Sequence, residues 1–181
     1  MSGRPYSDVK ILLVTNDSRV FKINGKGDPV PARDIYGGRF TEVRRFGERL
    51  GDKFETTLMI ISGKYGLIDG SRSIFPYENT IETRGEIVDL EEGTEFLAGS
   101  REAMEGHDCT ILLLPKEFIR FLLENGIFEI ENTIIAVTSK DFEFFLESRS
   151  NCLFLERRGA RLGRMNATTI IDFLEDLSKD V

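Results

Sequence analysis

The residues with the most chemical potential fall just after the apolar runs of the chain. Ser62-Gly63-Lys64-Tyr65-Gly66-Leu67-Ile68-Asp69 follows Leu58-Met59-Ile60-Ile61. Small residues with a lysine and a tyrosine at a strand end let a ligand come close to the backbone. Lys64 can set a point charge against an anion, or act as a base where desolvation lowers its pKa. A solvated turn lysine fits the same spacing. A phosphate loop is excluded, because Leu58 and Tyr65 stand where that motif needs a glycine and a Ser or Thr. Glu78, beside Tyr77, is the second catalytic candidate, a general base if its segment folds over a pocket. Tyr77 can stack on a base or donate its hydroxyl. In Gly159-Ala160-Arg161-Leu162-Gly163-Arg164, Arg161 and Arg164 can grip a phosphate or carboxylate bidentately. They stand before a helix whose amino end favours anions, and a solvated basic turn fits them equally well.

Other chemistries lack their residues. His107 is the only histidine, so Ser62 has no triad partner and no zinc spacing exists. No metal and no cofactor are expected. Cys109 and Cys152 are the only cysteines and each opens an apolar run, which predicts reduced, buried thiols in a cytoplasmic protein.

The elements that must position these residues alternate in type. Apolar runs at Val9–Val14, Thr56–Ile61, Cys109–Leu114, Thr133–Val137 and Cys152–Leu155 read as strands buried on both faces. Between them lie a short turn at Pro31–Tyr36 and a helix to Leu50, with Phe40, Val43, Phe46 and Leu50 inward and Gly51 as its stop. An irregular excursion over 68–88 and a weak acidic helix over 91–105 follow. Further helices are expected at Lys116–Glu124, ended by Asn125-Gly126, at Lys140–Glu147, and after an Asn166 cap. The segment 18–31, with Gly25, Gly27, Pro29 and Pro31, reads as a long loop. The fold class is α/β: a single-domain three-layer sandwich over residues 1–181 with about five mostly parallel strands. It is Rossmann-like without the GxGxxG fingerprint. Residues 1–8 are expected to be a flexible tail.

With 31 acidic and 24 basic residues the net charge is −7, which disfavours nucleic acid as a partner without removing it. No apolar run approaches the ~20 residues of a membrane span, so no membrane partner is expected. In an open parallel sheet, ligands sit beyond the carboxyl ends of the strands. Those ends carry Thr15 and Asn16, Ser62 and Lys64, Pro115 and Lys116, Thr138 and Ser139, and Arg157 onward.

Taken together, several motifs resemble a known set. Pro31-Ala32-Arg33-Asp34-Ile35-Tyr36-Gly37-Gly38-Arg39-Phe40 resembles "PAR-(D/E)-LY-x-(S/G)-x-LF", and Ser62-Gly63-Lys64-Tyr65-Gly66-Leu67-Ile68 resembles "SA-K-(Y/H)-GL-(L/V)". Pro76-Tyr77-Glu78 resembles "PY(D/E)", and Gly159-Ala160-Arg161-Leu162-Gly163 a final "G-L-x-I-G". Their order, from about Val9 to Phe173, resembles an uncharacterised family of small prokaryotic proteins filed as a domain of unknown function. That family's Cys-Ser-x-x-Lys run after the first strand reads Thr15-Asn16-Asp17-Ser18-Arg19 here, so a chemistry that used the thiol would be missing. The family's architecture in turn resembles the central α/β domain of archaeosine-type tRNA modification enzymes, a likeness of fold that does not fix function.

The sequence thus predicts a pocket for a small polar or anionic ligand, lined by Thr15, Asn16, Arg33, Tyr36, Ser62, Lys64, Tyr77, Glu78, Arg161 and Arg164. The expected ligand is a nucleotide, nucleoside or nucleobase. An accessory tRNA-binding module and a protein-interaction domain without a small ligand are the alternatives.

Overall fold

The computed structural model describes residues 7–22, 27–78 and 80–179. The expectations for residues 1–6 and for Gly25 and Asn79 lie outside them. A six-stranded sheet runs in the order β4-β3-β1-β6-β7-β8. Its strands are β1 (Ser7–Asn16), β3 (Phe54–Ser62), β4 (Gly66–Asp69), β6 (Cys109–Leu113), β7 (Thr133–Thr138) and β8 (Cys152–Glu156). All neighbours are parallel except β3 and β4. The five expected strands therefore become six in this sheet, and Ser7 and Asp8, expected in the flexible tail, are the first residues of β1.

Alternation along β1 divides the core. Val9, Ile11 and Leu13 join Val43, Phe46 and Leu50 of α2 (Phe40–Gly51) and Ile170 and Leu174 of α7 (Arg164–Leu177). Leu12 and Val14 face the opposite layer, α3 (Arg84–Thr94), α4 (Phe96–Glu105), α5 (Lys116–Glu124) and α6 (Glu143–Glu147). A buried parallel strand must be apolar on both sides because helices cover both faces, which is why these runs were legible. Among the described residues no helix is long and apolar enough to cross a membrane.

The chain leaves β1 for β3 on one side and later continues through β6, β7 and β8 on the other. The topological switch point therefore lies between β1 and β6, where their carboxyl ends diverge.

Several local expectations need correction. Gly51 belongs to α2, and Asp52 in right-handed geometry ends that helix. The excursion over 68–88 is irregular only in part, over 70–72, 75–78 and 80–83. It contains β4, then β5 (Ser73–Ile74) paired with β2 (Val30–Pro31) ahead of the turn α1 (Ala32–Ile35), and it ends in α3. Thr83 and Glu86 form a reciprocal capping box that starts α3 at Arg84. The helix expected over 91–105 is two helices, split at Glu95, whose φ of 51° breaks the first. Lys140–Phe142 is a 3-10 turn leading into α6. Asn166 lies inside α7 and donates to the Glu156 and Leu162 carbonyls, at 2.9 Å each, instead of capping. Cys109 is buried but Cys152 only half so, both free. Burial pushes their thiols up, to about 12 and about 11.

The opening motif is a β-hairpin between β3 and β4, with Ser62 opposite Gly66. Ser62 Oγ accepts from the Lys64 and Tyr65 N–H groups, at 3.2 and 3.1 Å, and so sets the turn. Gly66 has a φ of 71°, and a Cβ there would stand 2.6 Å from Thr94 Cβ and Oγ1. Thr94 cannot swing aside freely, because its hydroxyl donates to the Leu90 carbonyl at 2.7 Å. Gly66→Ala is expected to cost about 2–3 kcal/mol from left-handed strain plus overpacking, read as a lower urea midpoint with an unchanged slope.

Candidate functional site

The sequence-predicted residues divide among several places. Arg33 is exposed and lines a groove with Asp34, Arg44, Glu48 and Asp69, on the α2 side of the sheet edge. Lys64 and Glu78, both exposed, line a separate cleft with Glu86 and Asp89. The Lys64 ammonium lies 5.2 Å from the centre of the Tyr65 ring, and the Arg72 guanidinium lies 5.2 Å from the same centre. Arg164 is exposed at the start of α7, beside Glu156 and Arg158. The structure therefore does not bring Lys64, Arg33 and Arg164 together. It does unite Thr15, Asn16 and Arg161, and also Tyr36, Ser62 and Tyr77, and Asp17 joins the two groups.

Arg161 is the first part of that assembly. It is 8 % exposed and its guanidinium reaches under the carboxyl end of β1. Nη1 donates to Thr15 Oγ1 at 3.0 Å and to the Asn16 carbonyl, and Nη2 donates to the Asp17 carbonyl at 2.5 Å. Glu42 of α2 fixes the loop behind it by accepting from the Arg161 and Leu162 N–H groups, at 2.5 and 3.2 Å. Burial lowers the Arg161 pKa to about 10, with Arg157 and Arg39 adding to the effect and Asp17 and Glu42 opposing it. The group stays charged at neutral pH. The fork geometry of a guanidinium suits this task, because one side chain satisfies three acceptors at the end of a strand.

The second part is a chain of hydroxyls. Tyr36 and Ser62 are fully buried. The Tyr36 and Tyr77 hydroxyl oxygens are 2.5 Å apart, Ser62 Oγ donates to Tyr77 Oη at 2.8 Å, and Tyr77 Oη donates to Asp17 Oδ2 at 2.8 Å. The Gly63 N–H also donates to Oδ2, at 2.8 Å. Each hydroxyl has one proton. Tyr77 spends its own on Asp17, so Tyr36 must donate to Tyr77, and every proton in the chain points toward the carboxylate. Desolvation raises the Asp17 pKa, opposed by the Gly63 and Tyr77 donors and by Arg161. Burial, then the Asp17 charge, pushes the Tyr77 phenol up, and burial does the same to Tyr36, so both remain neutral. The tyrosine rings pack on one another and on Phe21 and Phe40, with centroids 5.0–6.4 Å apart. The rings are therefore held by packing on one another.

Above these two parts lies a cavity of about 780 Å³. It occupies the switch point between β1 and β6. Asn16, Asp17 and Arg161 form its floor, Arg39 and Arg157 one wall, and Pro115 and Phe118 at the amino end of α5 the other. Half-buried Ile81 supplies apolar surface, and Arg19, Glu82 and Glu117 complete the charged lining. Two polar atoms here have no hydrogen-bond partner among the described residues, Asn16 Oδ1 and Arg157 Nη1. Burial lowers the Arg157 pKa, the Arg39 charge lowers it further, and Glu42 partly compensates.

Sequence reasoning reached Asn16 and Arg161 but missed Asp17, Arg39, Glu42 and Phe118 as site residues. Asp17 carried a usable signal, being the residue directly after a strand that ends at a buried asparagine. Glu42 and Arg39 carried none, since only the tertiary fold brings the start of α2 against the loop that holds Gly159 and Arg161. No family model, no curated protein and no solved structure matches this chain.

Proposed function

We propose that this protein binds a small phosphate- or carboxylate-bearing ligand of nucleotide type in the switch-point cavity. The observation that carries this reading is the cluster of Arg19, Arg39, Arg157 and Arg161 on one cavity, where they outnumber the carboxylates Asp17, Glu82 and Glu117, with Arg157 Nη1 unpartnered. Like charges held together with an unused donor are what a bound anion neutralises. The amino end of α5 adds the partial positive charge of its free N–H groups. Half-buried Ile81 can take the apolar face of a ring, and the volume lies within the ~300–1,000 Å³ common for small-molecule sites. The late basic loop turns Arg161 into the fold, which favours a small ligand over a nucleic-acid strand.

Thermal shift against pyrophosphate and a panel of nucleoside monophosphates tests the reading. A ligand that binds only the folded state raises the melting temperature. Arg157→Gln is expected to weaken binding about tenfold or more, the scale of one charge-assisted hydrogen bond. Lys64→Ala, in the other cleft, should leave it unchanged. No shift across the panel, or equal shifts in Arg157→Gln, would sink the proposal.

A further inference from the structure

β8 closes the sheet on one side, with β7 as its single neighbour. The direction of its backbone groups is fixed at both ends. The Ile134 N–H donates to the Asn151 carbonyl at 2.9 Å, and the Arg157 N–H donates to the Thr138 carbonyl at 2.8 Å. Backbone groups alternate in direction along a strand, so positions 151, 153, 155 and 157 face β7 and positions 152, 154 and 156 face outward. Two of the outward groups are closed within the chain. The Cys152 N–H donates to the Arg149 carbonyl at 3.2 Å, and the Glu156 carbonyl accepts from Asn166 Nδ2 at 2.9 Å. The Cys152 carbonyl, the Phe154 N–H and carbonyl, and the Glu156 N–H stay open among the described residues. The strand reads Cys-Leu-Phe-Leu-Glu in an unbroken register, with no lysine, proline or bulge of the kind that blunts an edge. Of Val20, Phe75, Phe144, Phe145 and Met165, the large apolar side chains exposed among the described residues, three lie on the two helices beside β8. Phe144 and Phe145 belong to α6, whose Leu146 shares a core cluster with Phe154. Met165 stands in the first turn of α7 and lines a hollow with Glu156.

We infer that β8 is a self-association edge, and that its partner is β8 of a second copy of this chain, antiparallel about a two-fold axis at Phe154. The open groups decide for this partner. An inverted copy answers each of them: the two Phe154 residues exchange both their bonds, and each Glu156 N–H meets the Cys152 carbonyl of the other copy. A longer ladder would need the Cys152 N–H and the Glu156 carbonyl, the groups already spent. The pairing therefore ends where the chain has closed it. The side chains agree. Leu153 and Leu155, half-buried beside α7, stand opposite each other's copies in the closer, non-hydrogen-bonded pairs. Glu156 faces Cys152, so no charge within the strand meets its like across the axis. The pairing joins the two six-stranded sheets into one. It does not depend on the anion site.

Sedimentation velocity of the full chain should show a species of twice the chain mass at micromolar concentrations. Leu155→Lys sets an ammonium against Leu153 of the other copy and should weaken self-association about tenfold or more, with circular dichroism checking that the variant folds. Leu155 is half-buried, so a second probe reads the register without touching that side chain. Glu156→Cys places a thiol opposite Cys152 of the other copy, in a pair whose Cα atoms stand about 5.5 Å apart, within the span of a disulfide. Within one chain the two positions are four residues apart along the strand, roughly 14 Å, and cannot bridge. Mild oxidation should therefore give a covalent dimer on a non-reducing gel, and the double variant Cys152→Ser/Glu156→Cys should give none. A monomer at every concentration would overturn the inference. So would a dimer that a folded Leu155→Lys leaves intact. Glu156→Cys that stays unlinked, or that links equally well without Cys152, would overturn it too, because the copies would then meet through another face or register.

Discussion

Arg161→Met should lower the unfolding free energy by about 3–5 kcal/mol. Methionine fills much of the same space but donates nothing. The Asn16 and Asp17 carbonyls and Thr15 Oγ1 would each lose a donor at once. Thr15 is fully buried, and Asp17 is 3 % exposed, so water cannot replace the guanidinium without opening the end of β1. One term opposes the loss. Arg161 is crowded by Arg157 and Arg39, and its removal relieves that repulsion. The relief is the smaller effect, because Arg39 is exposed and solvent screens it. Arg161→Lys separates charge from geometry. A lysine keeps the charge but cannot fork to three acceptors, so it should recover less than half of the stability. Chemical denaturation read by circular dichroism gives both numbers, and a loss under about 1 kcal/mol for methionine would mean that the bracket is not a structural tie.

How this bracket stayed hidden shows where sequence reasoning ends. The strands were legible because burial on both faces leaves a run such as Ile11-Leu12-Leu13-Val14 with almost no polar choice. α5 was legible to the residue, because an amphipathic period met an Asn-Gly stop. β4 and β5 were not, since four residues and two residues are too short to show alternation, and their identity depends on pairing with β3 and β2. The break at Glu95 left no trace because glutamate rarely adopts φ near 51°. The site followed the same rule. Basic residues before α7 and polar residues after β1 were each visible locally. That Arg161 turns inward to meet Thr15, 146 positions away, depends on which strands are neighbours. The order β3-β1-β6-β7-β8 was not readable from the chain. Lys64 drew attention through its glycines, yet those glycines serve a hairpin turn.

Tyr77→Phe should cost about 3–5 kcal/mol although it deletes one oxygen. The Tyr77 hydroxyl is the only described acceptor for Ser62 Oγ–H and for the Tyr36 phenol, and it is a donor to Asp17. Its loss leaves two buried hydroxyls unsatisfied, at about 1–3 kcal/mol each, and leaves Asp17 Oδ2 with only the Gly63 N–H. Tyr36→Phe deletes a terminal donor and should cost only about 1 kcal/mol. The double variant Tyr36→Phe/Tyr77→Phe should cost less than the two singles summed, because the Tyr36 proton is orphaned in one single and absent in the double. The cost of Tyr77→Phe also depends on pH with a defined sign. The Tyr77 donor lowers the Asp17 pKa against the desolvation that raises it. A raised carboxylate pKa means stability that is full below the unfolded value, near 4, and that falls as pH rises through the folded value. Removing the donor raises the folded value further, so Tyr77→Phe should lose more stability at neutral pH than in acid. Equal costs for Tyr36→Phe and Tyr77→Phe, or a Tyr77→Phe penalty independent of pH, would show that the protons do not converge on Asp17.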